Sequence, residues 1–427
     1  MRFLRATALA VVAVGASAFA LTGCTSNSAP ADAGAGEPVT LSFLTYTSPN
    51  VTKEFWEEAA STIEADNPGL TIELLYTPTL DRQGYARQLL ASGQLPDIMW
   101  DAPLQEFVDA GALLPFEPSD YEGINVPEGY GAIDGKQYSL FNGSFIYPGV
   151  YYNPDAFAAA GVEVPTTFDQ LVTAAQKLKD KGTTPFLLSS GSDTWSTQFI
   201  LNSLISANVL GNDPDWMAKR KAGDVSFSDP EFRQSVDAFV ELRDAGYFNT
   251  DALSINYTQA NAAWATGDYA MWPMGGWAAA VTSDAFTPGV FAMPTFDGAK
   301  VLPVTSGAAL YVSAATAHPD LARKVAVELV KNTKLQSDLM VNDAQFPIIS
   351  GVEAPEGTAQ ATLDGLALYE NPDYTQVSGF PNVVSNDDLP PVGWPAEYEK
   401  AVQALLAGGS TDQFVTAIDD AWNSLNK

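Results

Sequence analysis

The sequence predicts an α/β protein with room for more than one domain, and three observations carry that expectation. Strand-like and helix-like segments alternate from residue 41 onward, several helix candidates carry recognisable caps, and 427 residues with 46% apolar content are enough for a large buried core. At roughly 100–200 residues per domain, two or three domains are expected.

The elements follow in order. "LSFLTY" (Leu41 to Tyr46) is a compact apolar strand, and Val51, Phe55, Ala59 and Ile63 recur every four residues on one face of a helix that ends at Asn67-Pro68-Gly69. Leu70, Ile72, Leu74 and Tyr76 alternate as a strand, a helix around Tyr85 to Ala91 stops at Gly93, and "PDIMW" is the next strand. This is a β-α-β-α-β rhythm. Further on, Thr167 and Gln170 have capping-box spacing before an apolar face, and Gly182 follows the basic last turn. Asp229-Pro230-Glu231 opens another helix, with Phe232, Val236, Phe239 and Val240 as its buried stripe. Pro319 to Lys331 repeats the pattern, and Trp56, Trp264 and Trp422 lie on helical stripes and are expected in cores.

The amino terminus addresses the protein outside the cytoplasm. Arg2 and Arg5 precede an apolar run from Ala8 to Leu21, which is of signal-peptide length and too short for a membrane span. Leu21-Thr22-Gly23-Cys24 resembles the lipobox of bacterial lipoproteins, which implies removal of residues 1–23 and lipidation of Cys24, the one cysteine of the chain. Ser26 to Pro38 then reads as a flexible tether. Several buried acyl chains, at about 0.8 kcal/mol per methylene, hold such a protein on a membrane surface without a spanning helix. With no second thiol, no intramolecular disulfide forms and the core must stabilise the fold. The balance of 21 basic to 51 acidic residues gives a net charge of −30, which repels nucleic acid and anionic solutes.

Four tryptophans stand apart from apolar stripes. Trp100 ends the strand "DIMW" beside Asp101, at the edge where open α/β sheets present ligand-binding groups. Trp195 lies in the polar stretch "SSGSDTWSTQF" near Asp193, Trp277 follows Gly275-Gly276, and Trp394 sits between prolines in "DDLPPVGWPAEY".

The segments "YTSPNVTKEFWEEAASTIEADNPGLTIELLY", "YARQLLASGQLPDIMW", "VYYNPDAFAAAGVEVPTTFDQLVTAAQKLKDKG", "FSDPEFRQSVDAFVELRDAGYFN", "QANAAWATGDYAMWPMGGWAAA" and "HPDLARKVAVELVKNT", in this order and spacing, resemble family 1 extracellular solute-binding proteins of bacterial ABC importers, the group that includes maltose-binding protein. The resemblance implies a two-lobe periplasmic-binding-protein fold with hinge strands and an interlobe ligand cleft. It would place one lobe at residues 38–147 plus 304–341 and the other at 148–300 plus 346–427. It also implies capture of a small solute, a mono- or oligosaccharide, by lobe closure and delivery to permease subunits, with no cofactor, no metal and a monomeric chain. Trp100, Trp277 and Trp394 fall near positions where the family's rings stack on sugar, Trp195 near another cleft aromatic, and Tyr46 on the first cleft loop. The C–H-rich face of a pyranose packs on such rings, and its hydroxyls suit acceptors such as Asp101 and Asp193. Tyr147-Pro148 replaces an acidic ligand contact of the maltose binder, so maltodextrin specificity does not carry over.

Two other classes compete: a surface carbohydrate-binding or adhesion lipoprotein without an importer, and a glycoside-active enzyme using paired carboxylates at Glu57/Glu58, Asp387/Asp388 or Asp419/Asp420. Adjacent carboxylates diverge on a helix, which favours a solvated face for each pair. His318 is the one histidine and precedes Pro319 at a helix start, which excludes a His-rich metal site and leaves little room for a Ser-His-Asp triad. The lipobox reading has a direct consequence: Cys24→Ser is expected to shift the protein from the membrane fraction to the soluble fraction with its melting temperature unchanged. Equal membrane retention of the variant would remove that reading.

Overall fold

The computed structural model describes residues 38–78, 81–125, 130–307, 309–381 and 389–426. The leader, Cys24, the tether and the Asp387/Asp388 pair lie outside the described residues.

Two sheets organise two separate cores. In the first sheet the strand Val39–Thr45 lies between two parallel neighbours, Leu70–Tyr76 and Ile98–Trp100. The helices Lys53–Asp66 and Arg82–Ser92 supply the crossovers that parallel strands require. A much later strand, Ala309–Ser313, runs antiparallel to Ile98–Trp100 and also pairs with Leu113–Leu114 and Leu140–Phe141. The second sheet has the order Thr184–Phe186, Tyr269–Met274, Gly149–Tyr152, Gly289–Phe291, with only the first pair parallel.

A three-stranded sheet joins the two bodies: Val301–Ser306 lies between Thr375–Ser378 and Ser144–Ile146. Ser144–Ile146 follows a strand of the first sheet and leads into a strand of the second. Ile146, Leu302 and Phe346 pack together as a small apolar cluster at this crossing.

Local chemistry explains the helices and refines their faces. Thr52 caps Lys53–Asp66 by accepting from Phe55 N, and the buried stripe is Trp56, Ala59, Ala60 and Ile63. The period-four reading placed Phe55 inward and it is half-buried, while Trp56, expected in the core, lies on the buried stripe that the mixed three-and-four spacing of a helix produces. Thr167 caps Phe168–Asp180 as its spacing suggests, but Gln170 Oε1 accepts from Thr166 N at 2.9 Å rather than from the cap residue itself. Asp229 precedes Pro230–Asp244 and turns its carboxylate back to Ser226 N at 2.8 Å, so it closes a turn instead of capping the helix.

Trp394 belongs to the second core and not to the cleft. It is 0% exposed and stacks between Phe227 (5.3 Å, 15°) and Tyr398 (5.1 Å, 20°). Its Nε1 donates to Ile418 O at 3.1 Å. The prolines around it had suggested a loop, whereas Pro395 occupies the first turn of the helix Trp394–Leu406, a position where a missing N–H leaves no bond unmade. Truncating a tryptophan so enclosed leaves a cavity that costs about 3–5 kcal/mol. Trp394→Ala is therefore expected to lower unfolding free energy by that amount in a urea titration. A loss below about 1 kcal/mol would contradict the core assignment.

Candidate functional site

The nine tryptophans sort by burial. Seven are less than 2% exposed, and only Trp195 and Trp277 keep intermediate exposure. Both lie on the side of the second body that meets the first.

Trp277 stands at the centre of an aromatic group. Its ring is 5.8 Å from Phe145, 5.9 Å from Tyr147, 6.1 Å from Trp195 and 5.8 Å from Phe199. Trp195 in turn lies 5.1 Å from Tyr257. The two glycines before Trp277 are explained by packing: a Cβ on Gly275 would come within 2.3 Å of the Trp277 ring, and one on Gly276 within 2.7 Å of Phe145. The indole folds back over Gly275, so the glycines make room for the protein's own rings.

Asp193 accepts from Tyr257 N at 3.0 Å, which commits one carboxylate oxygen to the start of the helix Tyr257–Trp264. Next to it Thr194 Oγ1 donates to Glu399 at 2.8 Å, and burial raises the Glu399 carboxyl above its ordinary range despite that bond. The Asp81 charge, from the first body, pushes Glu399 the same way.

The facing wall is built on Tyr46 and Arg82. Tyr46 follows the first strand, and its carbonyl accepts from Trp56 Nε1 at 2.7 Å, which ties this loop to the core. The Arg82 guanidinium lies 4.4 Å over the Tyr46 ring, and its Nε is 3.0 Å from Asp101. Gln83 Nε2 donates to the other Asp101 oxygen at 3.1 Å. Asp101 has φ +68°, a left-handed backbone that aspartate tolerates better than most residues and that recurs at binding sites.

Trp100 is not part of this wall. It is 1% exposed, packs edge-on against Trp56 at 4.6 Å, and lies behind Tyr46 at 6.4 Å. The strand end that suggested a cleft position exposes Asp101, while the alternation of the strand turns Trp100 inward.

The two walls touch. Asn50 Nδ2 donates to Trp277 O at 3.1 Å, and the helix Thr333–Asp343 of the first body packs on the turn Gly276–Ala280 of the second. Asp343 lies at this contact. Burial raises its carboxyl to about 6, against the opposing pull of Gln345, Arg82 and Asn50. Burial likewise pushes the Tyr46 and Tyr257 hydroxyls up, and the Asp343 charge adds to both shifts. Tyr257 Oη and Asn261 Oδ1 are buried without a well-aligned hydrogen-bond partner.

Together the structure brings Tyr46, Asp101, Trp195 and Trp277 to one boundary, with Asp193 beside them. Arg82, Asn50, Glu399, Tyr257, Asn261 and Asp343 join them without having been singled out in the sequence. The arrangement offers stacking faces, hydrogen-bond acceptors and one guanidinium, a set suited to holding a polar solute. Of the carboxylate pairs weighed for catalysis, the two within the described residues are not assembled as acid–base pairs. Glu57, Glu58 and Asp420 are exposed on helices, and Asp419 is occupied by Arg220, Ser226, Ser228 and Phe227 N. Among the described residues no group of three or more His, Cys, Asp or Glu side chains could hold a metal ion, and no helix is long and apolar enough to cross a membrane.

Comparison with known proteins agrees with this two-walled architecture. The chain belongs to the bacterial extracellular solute-binding protein family, whose model matches residues 48–333. It is 25% identical to the multiple sugar-binding protein of Streptococcus mutans over 71% of this chain and 74% of that protein. It is 29% identical to the osmoprotective compounds-binding protein GgtB of Synechocystis over 35% of this chain, a match that spans 38% of that relative's length. Among solved structures, a chitin oligosaccharide binding protein superposes with a TM-score of 0.78 at 25% identity, covering 92% of this chain and all of that one. The raffinose complex of RafE shares the fold, with a TM-score of 0.72 at 22% identity over 91% of this chain and all of that one.

The electrostatics of the boundary are testable. Arg82 lowers the Asp343 carboxyl pKa, so Arg82→Met is expected to raise it above about 6. Carbon-detected NMR of the aspartate carboxyl groups reads this directly, and an unchanged titration would show that Arg82 does not act on Asp343.

Proposed function

We propose that this protein captures a mono- or oligosaccharide between its two lobes and, lipid-anchored at Cys24, presents it to the permease of an ABC importer. The observation that carries the reading is the boundary itself. An aromatic group centred on Trp277 stands on one wall and Tyr46, Arg82 and Asp101 on the other, and a hydrogen bond from Asn50 to Trp277 O joins the walls. A solute held there is desolvated from both sides, and each wall contributes contacts that only the closed state makes. Rings take the apolar face of a pyranose, while Asp101, Asp193 and Glu399 are placed to accept from its hydroxyls. The sugars named for the multiple sugar-binding protein and the chitin oligosaccharide binding protein support the same chemistry. Binding without turnover is the reading that the solute-binding family supports.

A thermal-shift screen with raffinose, stachyose, chitotriose and xylotriose, against spermidine and glycerol phosphate, tests the ligand class. A bound sugar at 100 times its Kd is expected to add about 2.7 kcal/mol of stability. Stabilisation by spermidine alone would overturn the carbohydrate reading, and overnight incubation with a bound sugar is expected to return it intact. Trp277→Ala is expected to weaken binding of a stabilising sugar by about 1–3 kcal/mol, a 5- to 150-fold change in Kd. Because Asn50 bonds the Trp277 backbone carbonyl, that bond survives the substitution, and affinity is expected to change more than stability.

A further inference from the structure

We propose that Asp343 is a positioning residue that couples closure of the two lobes to uptake of a proton, an inference that rests on the two-lobe capture reading. Asp343 ends the helix Thr333–Asp343, is 7% exposed, and precedes Ala344, which takes the left-handed backbone (φ +52°) at the same contact. Its Oδ2 accepts from Gln345 Nε2 at 2.9 Å. Asn50, whose amide donates to Trp277 O across the boundary, also pulls against the shift of the carboxyl. The helix that ends at Asp343 packs on the turn Gly276–Ala280 of the other lobe. Opening the lobes parts these contacts, and solvent must then reach Asp343 for the coupling to hold.

The charged and titratable groups facing Asp343 do not neutralise it. Arg82 faces it from the helix Arg82–Ser92 but is paired with Asp101. Tyr46 faces it from the end of the first strand, and Tyr257 from the opposite lobe, and burial keeps both neutral. Burial therefore dominates and lifts the carboxyl to about 6. The protonated form also has a partner waiting. Gln345 Oε1 is buried and makes no hydrogen bond, so turning over the Gln345 amide offers an acceptor to a protonated Asp343 where the carboxylate was offered a donor.

The linkage has a definite sign. A carboxyl raised to about 6 in the closed state, and near 3.9 when solvated, makes the closed state bind the proton more tightly. Closure is then favoured as pH falls through about 6, and the closed-to-open ratio is expected to rise about tenfold from pH 8 to pH 5.

Single-molecule energy transfer tests this on the sugar-free protein. Dyes are placed on Glu73→Cys in the first lobe and Lys177→Cys in the second, both exposed positions, with Cys24→Ser removing the natural cysteine. The expected result is a closed fraction that grows on acidification in the Asp343 protein. In Asp343→Asn, whose neutral amide Gln345 can accept by the same turnover, the closed fraction is expected to lose most of its pH dependence, with Glu399 as the remaining raised carboxyl of the boundary, and to approach at pH 8 what the parent reaches at pH 5. A parent ratio that changes less than about twofold, a pH dependence undiminished in Asp343→Asn, or one pH-invariant distance would each overturn the proposal. Equal melting temperatures of parent and variant at pH 5 establish that the variant folds. Raffinose and chitotriose are then added to the same labelled protein: failure of sugars to shift the distances counts against the carbohydrate reading, whereas the sugar-free pH response alone decides the proton coupling.

Discussion

The structure depends on the chain crossing between two cores in strands that pair with one another. Leu140–Phe141 belongs to the first sheet, Ser144–Ile146 to the joining sheet and Gly149–Tyr152 to the second sheet. Val301–Ser306 returns alongside and continues into Ala309–Ser313 of the first sheet. Backbone hydrogen bonds fix the register of these crossings, so the facing walls always meet at the same height. The crossing is a three-stranded sheet with a small apolar cluster, the kind of junction about which two lobes can hinge.

That freedom dictates what the boundary can be made of. Each lobe closes its own apolar core, around Trp56 and Trp100 in one and around Trp216, Trp394 and Trp422 in the other. A continuous apolar seam between the lobes would lock them. The boundary instead uses rings with partly exposed faces, carboxylates and the amide-to-carbonyl bond from Asn50 to Trp277. A net contribution of about 0.5–1.5 kcal/mol for such a bond is small enough to break on opening, and water can satisfy both groups once it does. Solute and solvent compete for the same surfaces, the condition under which a bound solute can bias the equilibrium.

The acidic surplus of the chain is felt at this boundary. Asp81, Asp101, Asp343 and Glu399 stand near one another, and Arg82 is the guanidinium among them. Asp101 pairs with Arg82 and accepts from Gln83, whereas burial pushes Asp343 and Glu399 toward their neutral forms.

What the sequence determined by itself is local. Apolar periodicity, capping residues and glycine stops located the helices Lys53–Asp66, Phe168–Asp180 and Pro230–Asp244, because helix boundaries depend on neighbours within one or two turns. Its ordered segments also resembled the solute-binding family that the comparisons establish. Tertiary structure alone decided which aromatic faces which space. Trp100 ends a strand and Trp277 sits in the turn just after one, yet the first lies under Tyr46 in a core and the second at the boundary. Trp394 looked like a loop residue and became a core residue because its own helix and the helix Thr411–Leu425 enclose it. Asp343 carried no signal at all. Its environment is assembled from residues nearly three hundred positions upstream and from the opposite lobe, and burial and charge act through space rather than along the chain.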